Sequence, residues 1–441
     1  MTGTFVEREP DYPPAHYGWY VVAVLAVIYT ISYIDRIMLT LLVGPIRASL
    51  QISDLQLSLL HGFAFAIFYT FLGIPLGRIA DRHSRRDLVV GGALVWSAMT
   101  ALCGVARSFG SMFLARIGVG VGEAALSPAA YSMLSDCFPP SKLSRVLSVY
   151  TASIYIGGGL ATMTAGTLIA VLPTLGLPWF EGLEPWRMVF IAVGLLGIPS
   201  AVLMLTVREP RRRNLSKRYG DDGPSLTAVL QHMWERRAAY GSVALGLSAI
   251  SMMTNGIKAW VPTFFMRRFE WTVAETGFWF GSGLLVFGTV GVISGGQLAG
   301  WLRGRGDLAS NLKVGILTAL LILGFGLVAP LVPDPTLSLV LYCAAIFSAA
   351  MPFGAGAAAI QEITPNQMRG QVAAVYLFAI NLAGIGLGPT VVASFTDLVF
   401  GRDEAVGQSL AALVAIGVPL ALLCLVGGLG AYRRALAAKD F

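Results

Sequence analysis

The stretch GRIADRHSRR, Gly77–Arg86, places four arginines and one aspartate at the junction of two long apolar runs, 57–79 and 88–106. A weaker copy, GQLAGWLRGR, Gly296–Arg305, stands at the junction of 275–302 and 309–332 in the second half of the chain. Both begin with glycine, carry an apolar residue and alanine at the third and fourth places, and end on arginine; the second has Gly300 where the first has Asp81. Such an echo, at the same place in each half, implies two helical bundles related by an axis along a membrane normal.

The rest of the sequence supports a membrane setting. Only 12% of the 441 residues are charged, against about 25% in an ordinary soluble domain, and the mean hydropathy is +0.71. The apolar material falls into blocks near the length of about 20 residues that a helix needs to cross a hydrocarbon layer. Spans 1 to 6 are expected over 17–43, 57–79, 88–106, 110–136, 144–172 and 186–207. Spans 7 to 12 are expected over 238–266, 275–302, 309–332, 336–361, 370–397 and 406–432. The alternating segments of about 10 residues that build a membrane barrel are not evident. The fold class is therefore an all-α membrane protein of twelve transmembrane helices in two pseudo-symmetric six-helix bundles. The first bundle is assigned to 1–207, a cytosolic linker to 208–237, and the second bundle to 238–441. Because MTGTFVEREPDYPPAH carries acids and prolines and the run after it outlasts a signal-peptide core, span 1 is expected to be retained.

The net charge of +7 records topology more than a nucleic-acid partner. With the amino terminus in the cytosol, most of the 31 Lys and Arg residues fall on the cytosolic side, which places both termini there; a bacterial inner membrane is the expected location. The linker begins as a basic stretch, and Leu226, Val229, Leu230 and Met233 follow helical spacing after Pro224 and Ser225. That spacing suits a short amphipathic helix on the inner leaflet or a plain spacer. Cys103, Cys137, Cys343 and Cys424 lack paired spacing and neighbouring histidines, so they read as buried small side chains rather than a disulfide framework or metal site.

Within the spans, charges are few: Asp35, Arg36, Arg116, Glu123 and Lys258. Each costs about 2.5–3.5 kcal/mol at the middle of a helix on insertion scales, so each should face a partner or a water-filled cavity. At 1.5 Å per residue, Asp35 and Arg116 lie at similar depths of about 12 and 9 Å, and Glu123 about 10 Å deeper. Gly118, Gly120 and Gly122 remove bulk from span 4, so charges on spans 1 and 4 are expected to meet. Asp35 and Arg36, about 100° apart on a helix, cannot address the same spot. Burial favours the neutral form of a carboxylate and a nearby arginine the charged form, so separating the two changes proton affinity. Glu123 is read as the principal proton site, Asp35 as its partner, and Arg36 or Arg116 as the counter-charge; a static pair that fixes packing is the alternative.

Asp35, Arg36, Glu123, Asn255, Lys258 and Asn381 are the candidate solute-binding residues. Lys258 binds an anionic head group or snorkels to the outer surface, and His61 reads as a core residue. A polar lining is expected from the first half and an aromatic one from the second, around Trp260, Phe264, Phe265, Phe278, Trp279 and Phe287. Gly157, Gly158 and Gly159 in span 5, and Gly388 and Pro389 in span 11, permit close packing or bending. At the cytosolic side Gly77, Asp81, Arg82, Arg85, Arg86, Asp136 and Gly370 form a candidate gate. In it Asp81 accepts from amides at the start of span 11, and Arg85 or Arg86 pairs with Asp136; positive-inside topology alone is the bland alternative.

Together GRIADRHSRR and RIGVGVGEAA, Arg116–Ala125, make the chain resemble the major facilitator superfamily over essentially its whole length. YIDR in span 1 with LARIGVGVGEAALSPAAYSMLSDCFP in span 4 resembles the spinster family of lysolipid and sphingosine 1-phosphate transporters. Bacterial organic-anion permeases also carry an Asp or Asn before Arg in span 1. The resemblance implies a proton-coupled secondary transporter of an amphipathic or lipid-like solute, with acids at the places of Asp35 and Glu123 taking part. Its energy source would be a proton gradient, with no cofactor, and a monomer is expected. An organic-anion permease or drug exporter is the alternative. A membrane-embedded lipid enzyme is disfavoured, since no H-E-x-x-H or G-x-S-x-G element is present, and an ATP-driven pump lacks its G-x-x-x-x-G-K-[ST] loop.

Overall fold

Twelve long helices follow one another in the order that the apolar runs predict. The structure, a computed structural model, describes residues 12–138, 140–211, 226–365 and 368–438, and every regular element among them is helical. Span 1 is Ala15–Leu41, span 2 is 54–82, span 3 Arg85–Val105, span 4 Phe109–Cys137, span 5 Pro140–Val171 and span 6 Pro185–Leu205. Spans 7 to 12 are Arg237–Phe269, Val273–Gly304, Ser310–Leu331, Pro335–Glu362, 369–400 and Val406–Ala437. Eleven of them are long and apolar enough to cross a membrane. The twelfth, span 7, has 33 residues, about 50 Å of helix, and is the more polar one because it carries Asn255 and Lys258. An even number of spans puts both ends of the chain on one face, the terminal face; the opposite one is the far face.

Local signals fix where spans begin. Ser53, Ser108 and Thr272 open spans 2, 4 and 8 at the far face with reciprocal caps, and the Asp334 carboxylate accepts from the Leu337 amide to open span 10. Each cap satisfies first-turn amides that otherwise lack partners. After span 1 the chain forms a short helix, Val43–Leu50, at the far face, which the sequence does not signal. In the linker the expected amphipathic helix forms over Leu226–Glu235, with Val229 buried and Leu230 and Trp234 exposed. The basic part of the linker, 212–225, lies outside the described residues.

Glycines let the two sets of six helices approach across their interface. A Cβ on Gly281 of span 8 would stand 2.8 Å from the Gly159 carbonyl oxygen of span 5, and one on Gly62 of span 2 would stand 2.2 Å from the Ile385 carbonyl oxygen of span 11. Only hydrogen fits at either point. Span 5 is unbroken, and its Gly157 and Gly158 serve packing against Thr30 of span 1 and Leu284 of span 8. Spans 2, 8 and 11 instead carry π-helical turns, Leu59–Phe63, Leu284–Gly288 and Leu382–Leu387, and Gly388 and Pro389 follow the last directly. These widened turns rearrange the hydrogen-bond ladder without ending the helix.

Candidate functional site

Where the turns Leu59–Phe63, Leu284–Gly288 and Leu382–Leu387 come together, three of the four π-helical turns among the described residues, a cavity of about 60 Å³ lies between the two sets of helices. Tyr33, Arg36, Thr40, His61, Tyr155 and Thr162 line it from spans 1, 2 and 5, and Asn255, Lys258, Phe280, Leu284, Ile385 and Pro389 from spans 7, 8 and 11. A smaller space next to it, on the far-face side, shares Thr40, His61 and Pro389 and adds Ser58 and Trp260.

Asp35 and Arg36 separate as adjacent helical residues must. Asp35, 1% exposed, turns into the first six helices, where Arg116 Nη1 stands 3.3 Å from Oδ1 and the Thr100 hydroxyl donates to Oδ2. Arg116, wholly buried, also donates from Nε to the Leu60 carbonyl oxygen at 3.4 Å, inside the π-helical turn of span 2. Arg36 turns to the cavity and donates to Glu123 Oε2. Helical rise puts Glu123 about 10 Å deeper than Arg116, and side-chain tilt closes that gap. Helical side chains lean toward the helix N-terminus, and spans 1 and 4 run in opposite directions, so Arg36 and Glu123 lean toward each other. The guanidinium is caged by aromatic faces, with its carbon 4.2 Å from the Phe65 ring centroid, 4.8 Å from Tyr33 and 5.0 Å from Tyr69. Among the described residues Glu123 Oε1, Arg36 Nε and Arg116 Nη2 are buried without a hydrogen-bond partner.

Several expectations are corrected by this geometry. The expected meeting of spans 1 and 4 occurs, but the glycines of span 4 do not create it. A Cβ on Gly122 would stand 2.5 Å from the Trp96 amide nitrogen of span 3, and one on Gly120 would stand 2.9 Å from the Phe65 carbonyl oxygen of span 2. Those glycines seat spans 2 and 3, while long side chains bridge to span 1. Of the candidate solute contacts, Arg36, Asn255 and Lys258 line the cavity, and Asp35, Glu123 and Asn381 are absent from its wall. Lys258 does not snorkel to a surface. The aromatic side chain that the second half sends to the cavity is Phe280, not one of the six expected, and Trp260 lines the smaller space beside it; Phe264 and Phe265 are buried among helices, and Phe278, Trp279 and Phe287 are about half exposed on the outside of the bundle.

At the terminal face Arg85 pairs with Asp136 at 2.5 Å and with Glu209 at 2.7 Å, and also donates to Ser132 and the Pro210 carbonyl oxygen. Arg86 pairs with its neighbour Asp87 at 2.8 Å rather than with Asp136. The second half repeats the device with different residues: Arg303 meets Glu362 at 2.6 Å, and Asn311 and the Tyr432 hydroxyl donate to the same carboxylate. Beside it the Lys313 ammonium, hydrogen-bonded to Asp307, holds that carboxyl below the usual carboxylate range. The latch expected of Gly77, Asp81, Arg82 and Gly370 falls on side chains outside the described ones.

A charge cluster that the sequence reading missed closes the far face. Asp54, buried at the start of span 2, binds Arg267 of span 7 through both oxygens at 2.6 and 2.8 Å and lies 3.1 Å from Arg47. Arg47 in turn reaches Asp403 at 2.5 Å, and the Leu55 amide donates to Asp397 of span 11 at 2.7 Å. These bonds join the first six spans to the last six. The three carboxylates come close enough to share a cation, and the two guanidiniums answer two of their three charges. The only signal was an acid in the first turn, just after the cap Ser53, in ISDLQ, which reads equally as an ordinary helix start.

Known proteins place this architecture. The family model of the Major Facilitator Superfamily matches residues 25–389. An MFS-type efflux pump of Mycolicibacterium smegmatis is 29% identical over 95% of this chain and 94% of its own. Human protein spinster homolog 1 is 29% identical over 56% of this chain and 46% of its own. A crystal structure of a bacterial homolog to the human lysosomal transporter spinster, inward-facing and unoccupied, superposes with a TM-score of 0.79 at 27% identity, covering 96% of this chain and 98% of that one. The chain belongs to the Major Facilitator Superfamily and is an integral membrane transporter, not an enzyme.

Proposed function

We propose that the protein is a proton-coupled secondary transporter of an amphipathic or lipid-like solute of the lysophospholipid or sphingosine 1-phosphate type, with its terminal face in the cytosol of a bacterium. The observation that carries this reading is Arg36 at the wall of a cavity between the two sets of helices, paired behind that wall with Glu123, one of whose buried carboxylate oxygens has no partner. Rocking one set against the other does not part this pair, because spans 1 and 4 travel together. The solute does: an anionic head at Arg36 competes with Glu123, and a carboxylate stripped of its cation in a buried site takes up a proton. Asp35 and Arg116, behind the cavity wall, hold span 1 in register with span 4. Closure of the far face by the Asp54 cluster fits a solute path open toward the cytosol in this state. The small cavity and the full-length likeness to an efflux pump favour a second reading, export of a small organic anion or drug.

Flux in proteoliposomes under an imposed pH gradient, with sphingosine 1-phosphate, lysophospholipids and amphipathic cations as solutes, separates the readings. Glu123→Gln and Asp35→Asn are expected to abolish gradient-driven flux; each leaves a buried arginine without its acid and lowers the unfolding temperature, but both variants should stay folded at the temperature of the assay. Full coupling in both variants overturns the proton assignment.

A further inference from the structure

The two arginines buried at the level of Thr100 and Glu123 each have a carboxylate, Arg116 with Asp35 and Arg36 with Glu123. Lys258 has none: among the described residues no carboxylate forms an ion pair with its ammonium, and its recorded neighbour is the Tyr155 ring, 5.3 Å from Nζ to the centroid. The residue lies eleven positions before the far end of span 7, about 16 Å along the helix, beyond a lysine's reach of that surface. Its side chain lines the cavity instead, on the wall that also carries Asn255 one turn earlier, with Arg36 lining the same space from span 1. Of the two cations that line the cavity, Arg36 is therefore balanced by Glu123 behind the wall, and Lys258 is left unbalanced. An unpaired buried charge is costly, and a ligand of opposite sign removes that cost.

We propose that Lys258 anchors the head group of the solute and makes the transporter selective for anions, carboxylate, phosphate or sulfate, over neutral and cationic molecules with the same tail. This deepens the function proposed above and rests on it for the tail alone; the charge requirement holds equally for a small organic anion. Arg36, occupied by Glu123, supplies a second cation when that acid is neutral, whereas Lys258 is available in both states. Tyr155, across the interface on span 5, keeps the ammonium over its ring face until an anion arrives.

Binding to the full chain in phosphatidylcholine nanodiscs tests this, with lysophosphatidate, lysophosphatidylcholine, sphingosine and benzoate as probes. The parent protein is expected to bind lysophosphatidate about tenfold or more tightly than sphingosine. Lys258→Gln should erase that preference, Lys258→Glu reverse it, and Lys258→Arg keep it, with all three variants monitored for intact folding by thermal unfolding. If Lys258→Gln keeps the parent's order of affinities, the inference falls and the lipid reading stands. If only benzoate binds, and binds through Lys258, the inference stands and the lipid reading falls. A parent protein indifferent to head-group charge, or one that binds none of the four, overturns the anchor outright.

Discussion

Two charge clusters dominate this molecule, and they are wired differently. The far-face cluster of Arg47, Asp54, Arg267, Asp397 and Asp403 crosses from the first six spans to the last six and is partly open to solvent, with Arg47 23% and Asp403 50% exposed at the side chain. The core cluster of Asp35, Arg36, Arg116 and Glu123 stays within spans 1 and 4 and is almost entirely buried. A bond that crosses the interface must break when the halves rock apart, so its strength sets how long the far face stays shut. A bond within one half survives rocking and is changed only by a ligand or a proton. Under the function proposed above, the first cluster is a closure and the second a sensor, and the chemistry suits each. Exposed arginine pairs weaken with salt, whereas buried pairs are screened far less.

The largest expected effect falls on the sensor's structural pair. Arg116→Met leaves Asp35 buried with Thr100 as its remaining partner, and loss of one member of a buried pair costs about 3–5 kcal/mol. The variant should unfold in detergent at a markedly lower temperature, and Asp35→Asn in the same chain should recover most of the loss. A single variant as stable as the parent would mean that the pair is decoration. A smaller effect is expected at the closure. Asp54→Asn removes the charge that both arginines share, about 1.5–3 kcal/mol of charged hydrogen bonding that supports the closed far face. Labelling of Ser58→Cys, in the far-face space beside the cavity, by an impermeant maleimide should rise in that variant. In the parent it should rise with salt. Labelling that ignores both salt and Asp54 breaks the distinction between closure and sensor.

What the sequence disclosed follows from what a helix fixes by length alone. Depth is set by rise per residue, so the twelve spans and the matching levels of Asp35 and Arg116 were legible. Rotation about the axis is not set by length. In a soluble helix the polar face reveals it, but here lipid and core are both apolar, so Phe278, Trp279 and Phe287 gave no sign that they face outward. The same gap hid the exchange of partners, Asp35 to Arg116 and Arg36 to Glu123, and the aromatic cage of Tyr33, Phe65 and Tyr69. Single charges at loop edges read as topology, which concealed Arg47, Asp54 and Arg267. Glu209 and Glu362, the hubs' unforeseen acids, sit at span ends where carboxylates are commonplace. At Asp136 the motif offered two arginines, and geometry pairs it with Arg85.

The smallest expected effect separates steric closure from ionic closure at the same face. Gly281 of span 8 packs directly on span 5, where a Cβ would stand 2.8 Å from the Gly159 carbonyl oxygen and 3.0 Å from the Met163 amide nitrogen. Backbone cannot yield as a flexible side chain can, so Gly281→Ala forces the two helices apart, at the lower end of the cost of about 1–3 kcal/mol for overpacking. That cost is incurred only while the far face is shut. Labelling of Ser58→Cys should therefore rise modestly in Gly281→Ala, and the increment should be the same at low and high salt, unlike the one from Asp54→Asn. Gly296→Ala, further along the same helix where a Cβ meets nothing within 4 Å, provides the control and should label as the parent does. If Gly281→Ala matches that control, the seam between spans 5 and 8 adds nothing to closure, and the ion cluster holds the far face without it.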